Sequence, residues 1–261
     1  MQVFTDTVDG SGASGMAQSR RRLPSKRKGI CRQGLRAVGN RGGIAYALAM
    51  RLHNYFRSSA SYRVRIALEL KGLRYDHIAV HIARDEHKKE PYAALSANTL
   101  VPLLEVDDQK LSQSMAIIEY LDETHPEPAL LPADPAGRAK VRALAQSIAC
   151  DVHPINNLRV LKYLASELKL DDEAKNAWYR HWCREGLQAF ERQLTQGPAS
   201  IFCHGETPTL ADCCLVPQIF NAQRFNVKFE KLPRTLAVYE ACMALPTFQK
   251  AQPPSCPDFE P

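Results

Sequence analysis

The chain has 261 residues, of which 45% are hydrophobic and 24% charged, as in an ordinary globular protein. Its formal net charge is +6, but residues 1–49 hold nine Lys or Arg and two acids, which leaves 25 basic and 26 acidic residues in the rest. This distribution argues against nucleic-acid binding, because a binding domain would carry the positive charge on its own surface. No uninterrupted apolar run approaches the roughly 20 residues of a transmembrane helix, so we expect no membrane partner either.

Residues 1–49 hold eight of the thirteen glycines and basic runs at 20–22 and 26–28. Such a segment has too few apolar side chains to offset the entropy lost on ordering, so we expect a disordered extension outside the fold. A mis-assigned translation start is the favoured explanation, because Met50 immediately precedes the first predicted strand. An organelle-targeting peptide and a functional basic tail are the alternatives.

The chain has eight cysteines, without a CxxC pair or a spacing typical of metal sites. An even count does not by itself predict disulfides in a chain of this length, and no convincing secretory leader is present. We therefore expect reduced thiols, a cytoplasmic protein and no bound metal.

Residues 50–131 carry the pattern of an α/β domain. Apolar alternation predicts strands over 51–56 and 75–82 and a hairpin over 103–111. Helical spacing predicts helices over 62–70, 86–95 and 115–125, the last capped by Ser114. Gly72 lies where the end of the first helix needs a positive φ. The order β-α-β-α-β-β-α predicts a thioredoxin-like domain.

Pro132, Asp134 and Pro135 mark a linker, and no strand pattern follows it. Apolar residues at helical spacing predict helices over 138–168, 171–194, 210–225 and 232–244. Thr209 and Asp212 have the spacing of a capping box at the start of the third of these. The chain is thus predicted to have a second, all-helical domain over residues 137–252.

The loop Arg57-Ser58-Ser59-Ala60-Ser61 lies between the first predicted strand and helix. Hydroxyls and free backbone N–H groups at a helix N-terminus favour an anion, and the same effects lower the pKa of a thiol. A thioredoxin-like domain would carry a redox CxxC here, but residues 50–149 contain no cysteine. The reactive sulfur must therefore arrive with a ligand.

Three further features of this domain suit a thiol tripeptide. Pro102 precedes the third strand, and in this fold that proline is usually cis, which turns the N–H and C=O of Val101 towards an extended peptide. The N–H groups at Gln113 and Ser114 suit a carboxylate, although a plain N-cap explains the pair equally well. His87 is the third feature, although a single exposed histidine more simply has no role in binding.

Four segments carry a family resemblance, at residues 58–68, 113–121, 153–158 and 207–212. Together they resemble zeta-class glutathione transferases, and the resemblance extends over nearly all of residues 50–252. The string Ser-Ser-Ala-Ser-Tyr-Arg-Val-Arg-Ile-Ala-Leu at 58–68 is its most specific part. The resemblance implies the glutathione transferase fold, glutathione as cofactor and a homodimer.

The resemblance also implies roles for particular residues. Ser58 is similar to the hydroxyl that holds the glutathione thiolate, supported by Ser59. The positions that match glutathione-binding positions of the family are Ser58, Ser59, Ala60, Ser61, Tyr62, Arg63, His87, Val101, Gln113, Ser114, His153, Asn157, Leu158 and Arg159. Ala60 departs from the family, which commonly has Cys there, so covalent chemistry at a protein thiol is not expected at that position. Pro154 is expected to open and bend its helix beside the cleft.

The implied activity is glutathione-dependent cis–trans isomerisation of a maleyl compound, with maleylacetoacetate favoured and maleylpyruvate as the alternative. Such a site must hold a thiolate, a developing enolate and substrate carboxylates, which requires fixed positive charge. Arg57, Arg159 and Arg224 are the candidates, and a solvated surface charge is the simpler explanation of any one of them. A glutathione-conjugating transferase and a non-catalytic adaptor are the rival classes, although retention of Ser58 argues against the adaptor.

Overall fold

The computed structural model of the protein describes residues 50–260. The predicted extension over residues 1–49 lies outside this range. The strands form one four-stranded sheet in the order β2-β1-β3-β4: β1 (Arg51–Asn54), β2 (Asp76–Ala79), β3 (Leu103–Val106) and β4 (Gln109–Ser112). Strand β1 is parallel to β2 and antiparallel to β3, so Leu52 lies opposite both His77 and Leu104. Strands β3 and β4 form the predicted hairpin.

Helices account for most of the other residues between 50 and 260. The α-helices of residues 50–260 are α1 (Ser59–Leu70), α2 (Tyr92–Leu95), α3 (Ser114–Thr124), α4 (Pro135–Gln146), α5 (Leu158–Ser166), α6 (Asp172–Thr195), α7 (Leu210–Arg224), α8 (Pro233–Met243) and α9 (Pro246–Ala251). An α/β unit is thus followed by an all-helical one, as predicted. No helix in the described part of the chain is both long and apolar enough to cross a bilayer.

Helix α1 lies at the centre of the molecule and packs against α3 on one side and against α7 and α9 on others. Its residues 61 to 68 are all buried, because the helix is covered on several faces. One apolar core runs continuously from Leu52 and Leu104 of the sheet through Ile66 to Leu215 and Ile219 of α7. This shared core fixes the start of α1 relative to the second set of helices.

The predicted helix over residues 86–95 is wrong. The chain there forms two 3₁₀ turns, Ile82–Arg84 and Glu86–Lys88, and the single-turn α2. Lys89 has an extended backbone with φ of −106° and ψ of 157°, and Pro91 has no N–H to donate, so the hydrogen-bond ladder cannot continue from Glu86 to Leu95.

Three other sequence predictions concern helix ends. Gly72 has the expected positive φ of 63°. Ser114 does not cap α3: it is the first helical residue, and Gln113 occupies the N-cap with a φ of 69° and no side-chain cap bond. The capping box of α7 is confirmed, with Thr209 and Asp212 each satisfying a backbone N–H of the other.

The predicted continuous helix over residues 138–168 is interrupted in the middle. Helix α4 passes into a π-helical turn at Ser147–Val152, followed by the 3₁₀ turn Pro154–Asn156 and then by α5. The opening expected from Pro154 is therefore present, because its ring removes a backbone donor and crowds the preceding turn.

Candidate active site

A cleft of about 800 Å³ lies between the first domain and the helices that follow. The starts of α1 and α3 line one side, and the π-helical turn, α5 and the end of α7 line the other. Of the residues assigned to the site from sequence, all line the cleft except Ser61 and Tyr62. Those two are fully buried: the Ser61 N–H is bonded within the loop, and Tyr62 packs edge-on against Phe220.

Ser58 is the N-cap of α1. Its Oγ accepts a hydrogen bond of 3.2 Å from the backbone N–H of Ser61. A serine hydroxyl has one proton to donate beside its lone pairs, so the Ser58 O–H remains available to a ligand in the cleft. The first turn of α1 contains no acidic residue that would compete for the positive end of the helix dipole. This is an environment that stabilises an anion.

Ser59 is oriented by the opposite wall of the cleft. The side-chain amide of Asn221, on α7, donates to Ser59 Oγ, and Asn221 Oδ1 accepts from Arg224 Nη1 at 3.0 Å. Asn221 thus joins two of the predicted site residues. Sequence reasoning missed it, although its position three residues before Arg224 on the same helix face was a usable signal.

Arg63 is almost completely buried at the back of the cleft. Its Nη1 donates to Ser114 Oγ at 3.3 Å, while Nε and Nη2 have no hydrogen-bond partner among the described residues. Burial lowers the pKa of this guanidinium. Together with the uncapped N-terminus of α3, Arg63 forms a second site that suits a carboxylate.

Val101 and His87 complete this side of the cleft. The Val101–Pro102 peptide bond is cis, as predicted. His87 lies in the short 3₁₀ turn and not on a helix, and its buried Nδ1 has no partner within residues 50–260. Burial lowers the pKa of His87, and the nearby Asp85 carboxylate only partly opposes that shift.

His153 lies where the helix opens, between the π-helical turn and Pro154. Burial, reinforced by the Arg63 and Arg159 cations, lowers its pKa to about 3. The imidazole is therefore neutral at physiological pH. Leu158 lines the cleft beside it, while Asn157 is partly occupied as the N-cap of α5, where its Oδ1 accepts from Val160 N at 3.1 Å.

The three predicted arginines all face the cleft. Arg57 lies over the Phe56 ring, 5.0 Å from its centroid. Arg224 has a lowered pKa, caused by loss of hydration and then by the neighbouring Arg57 cation. Arg159 is exposed at the start of α5. Within residues 50–260 none of the three pairs with a carboxylate side chain, so their charge is available to an anionic ligand.

An aromatic pair forms the floor at the far end. The rings of Tyr179 and Phe225 stack with centroids 3.7 Å apart and an angle of 12° between their planes. Both line the cleft, and neither was predicted from the sequence. The cleft therefore combines a cationic rim with an apolar floor, a combination that suits a small anionic substrate with a carbon skeleton.

Comparisons with known proteins agree with this geometry. Residues 52–129 match the family "Glutathione S-transferase, N-terminal domain", and residues 173–245 match "Glutathione S-transferase, C-terminal domain". A maleylpyruvate isomerase of Ralstonia sp is 48% identical over 210 residues, which are 80% of this chain and 99% of the relative. A probable maleylacetoacetate isomerase of Vibrio cholerae is 46% identical over 81% of this chain and 99% of its own length.

Solved structures give the same result. The holo structure of a maleyl pyruvate isomerase, described as a bacterial glutathione-S-transferase in Zeta class, has a TM-score of 0.79 and 47% identity, covering 80% of this chain and all of that one. The maleylacetoacetate isomerase of Anaeromyxobacter dehalogenans with bound GSH has a TM-score of 0.75 and 43% identity, covering 82% and 99% of the two chains. This chain therefore belongs to the glutathione transferase family and, within it, to the zeta class.

Proposed function

We propose that the protein is a glutathione-dependent isomerase that converts maleylacetoacetate to fumarylacetoacetate in the breakdown of phenylalanine and tyrosine. The observation that carries this proposal is the free Ser58 hydroxyl at the start of α1, in a cleft with three arginines that lack carboxylate partners in the described range. A thiolate and a dicarboxylate substrate need these two features together.

The residues present fit glutathione. The tripeptide offers a thiol, peptide groups and carboxylates. Ser58 and the N–H groups opening α1 suit the thiolate, and the uncapped start of α3 with the orphaned Arg63 nitrogens suits a carboxylate. Val101 lines the same cleft, and a relative of known structure binds GSH in its active site. We assign glutathione to this wall of the cleft.

Bound glutathione would supply a thiolate that adds reversibly to the maleyl double bond, which permits rotation about the resulting single bond. The protein's part is electrostatic. The Ser58 O–H and the α1 dipole hold the sulfur ionised, since both favour the charged form of a thiol. Arg57, Arg159 and Arg224 hold the substrate carboxylates and stabilise the negative charge that develops on its carbonyl oxygen. His153 is neutral and so adds no further charge.

Maleylpyruvate is the second candidate substrate. The Ralstonia relative is named for that activity, whereas the Vibrio and Anaeromyxobacter relatives are named for maleylacetoacetate. Both compounds join a maleyl group to a keto acid, so the same arginines would bind either one. A glutathione-conjugating activity is the third candidate, and the stacked Tyr179 and Phe225 would serve it as an apolar surface.

We further propose a division into a glutathione-binding domain over residues 50–131 and a substrate-binding domain over residues 137–252. The change from sheet to all-helical structure near the linker supports this division. A cytoplasmic location is supported by the seven cysteines of the described range, all of which are free thiols. The proposed homodimer depends on the family resemblance.

A spectrophotometric assay on both maleyl substrates, with and without glutathione, tests the proposal. We expect turnover only with glutathione, faster on maleylacetoacetate, and no net consumption of the thiol. S-methylglutathione is the matched control, because it keeps the tripeptide but has no ionisable sulfhydryl, and it should give no turnover. Stoichiometric loss of glutathione would indicate the conjugating activity, and absence of glutathione dependence with both substrates would refute the isomerase.

A further inference from the structure

The C-terminal segment, residues 256–260, lies against the loop that leads into Ser58. Cys256 packs with Tyr55 and Phe56, and the Phe259 ring meets the Phe56 ring edge-on with centroids 5.5 Å apart. This segment follows the 3₁₀ turn Pro253–Ser255, which comes after the last helix. Its contacts with Tyr55 and Phe56 bring the chain back to the first domain. It thus reaches the backbone that carries the proposed thiolate-binding serine.

Asp258 makes the most specific contact in this segment. Its Oδ2 accepts from the backbone N–H of Phe56 at 3.1 Å, and its Oδ1 pairs with His77 Nε2 at 2.7 Å. The two side chains are only 15% and 12% exposed, so solvent screens this pair less than the surface pair of Arg84 and Glu260 beside it. Both carboxylate oxygens are therefore bonded to the first domain.

The carbonyl group of the same residue, Phe56, is held by Arg65. Arg65 Nη2 donates to the Phe56 carbonyl at 2.9 Å, and the Ser58 N–H donates to the Tyr55 carbonyl at 3.0 Å. The turn from Tyr55 to Ser58 is thus closed by its own hydrogen bond and fixed on both sides. Removal of the Asp258 carboxylate would free the N–H side of this turn while Arg65 continues to hold the carbonyl side.

We propose that Asp258 is a positioning residue, which holds the Tyr55–Ser58 turn so that the Ser58 hydroxyl and the Arg57 guanidinium face the reacting atoms. This inference rests on the proposed function of that site. A displacement of about 1 Å in a group that orients a reaction can lower the rate about 100-fold. Asp258 does not line the cleft, so in this proposal it acts through the turn and not by contact with a ligand.

A metal site is the competing interpretation of the same residues. His77, Cys256 and Asp258 bring a ring nitrogen, a thiol and a carboxylate oxygen within 4.8 Å of one another. However, both Asp258 oxygens already accept hydrogen bonds, and the buried Arg65 cation acts on the Cys256 thiol, where it would repel a metal ion. The geometry therefore favours an anchor of the turn over a cation site.

The test compares Asp258→Ala and Asp258→Asn with the wild-type chain. Asp258→Ala removes both acceptors, so we expect kcat to fall about 10- to 100-fold, with the affinity for glutathione changed less. Asp258→Asn keeps a carbonyl oxygen for the Phe56 N–H and should retain most of the activity. Asp76→Ala is the matched control, because that exposed carboxylate has no hydrogen-bond or ion-pair partner in residues 50–260.

Hydrogen exchange at the Phe56 amide provides a readout that does not depend on activity, and it should be faster in Asp258→Ala only. A lower melting temperature with wild-type kcat in the folded protein would reduce Asp258 to a structural role and overturn the inference. If the wild-type chain itself shows no glutathione-dependent turnover, the proposed function fails instead. The two failures are thereby told apart.

Discussion

His153 shows how a single side chain is shaped by the cleft. It lies close to the buried Arg63 and to Arg159, both of which oppose a third positive charge. Burial is the larger cause, because an imidazolium removed from water loses its hydration. The ring is therefore kept neutral, and its neutrality has a measurable consequence for stability.

We predict that His153 makes the protein sensitive to acid. Its pKa is lowered to about 3 in the folded state, so its contribution to stability is present above the ordinary pKa near 6.5 and is lost as the pH falls towards 3. Between pH 7.5 and pH 5 the free energy of unfolding should fall by about 1–2 kcal/mol more in the wild type than in His153→Asn. Denaturant unfolding at both pH values measures this difference.

The exposed His181 gives the matched control for that measurement. His181→Asn should keep the acid dependence of the wild type. If His153→Asn lost stability in acid as steeply as the wild type, the imidazole would not be neutralised by its surroundings.

Most of the candidate site could be predicted at the level of residues, because Ser58, Gln113, Ser114 and His153 belong to recognisable local strings. Asn221 was missed, although it lies on the helix face of Arg224, because its role depends on the contact that α7 makes with Ser59. Ser61 and Tyr62 were assigned to the cleft as neighbours of Ser58, but helix geometry turns both away into the core.

At the scale of elements, α7 depends on a carboxylate that is completely buried. Asp212 Oδ2 accepts from the Thr209 N–H at 2.7 Å and from its hydroxyl at 2.8 Å, and Oδ1 accepts from Cys203 N at 2.9 Å. Helix α7 carries Asn221 and Arg224 at its other end. The bonds at the start of this helix therefore help to fix the position of these two cleft residues.

We predict that Asp212→Ala lowers the free energy of unfolding by about 2–4 kcal/mol, because it removes a cap and leaves buried N–H groups unpaired. Asp171→Ala is the comparison. Asp171 caps α6 with one hydrogen bond, to Ala174 N at 2.8 Å, at an exposed position where water can replace it, so its loss should cost about 1 kcal/mol or less. Equal losses in urea unfolding would contradict the proposed role of burial.

Elements were predictable where a regular apolar pattern extends over two or more helical turns or a full hairpin. Strand β1, the β3–β4 hairpin and helices α6, α7 and α8 all lie within a few residues of their predicted bounds. The region over residues 86–95 was not predictable, because Lys89 and Pro91 interrupt the backbone hydrogen bonds of a helix and leave the apolar pattern unchanged.

At the scale of the whole molecule, the order of elements predicted an α/β domain followed by an all-helical one. The family comparison, which matches an N-terminal and a C-terminal domain, agrees with this prediction. The cleft itself required the tertiary structure, since its two walls come from parts of the chain that lie between 34 residues (Met115 to Ala149) and 170 residues (Tyr55 to Phe225) apart. The contact between Asp258 and Phe56 is an extreme case, spanning 202 residues. The spacing of apolar residues along the sequence cannot predict a contact between residues so far apart.

The central claim is that the start of α1 keeps a ligand sulfur ionised, and titration of the thiol of bound glutathione tests it most directly. The ultraviolet absorbance of the thiolate, followed against pH, gives the pKa in the wild type, in Ser58→Ala and in Ser58→Thr, which keeps the hydroxyl. We predict a pKa in the wild type at least about one unit below that of the free thiol, a return towards the free value with loss of turnover in Ser58→Ala, and partial rescue in Ser58→Thr. Identical titrations in all three proteins, with turnover intact in Ser58→Ala, would contradict the account.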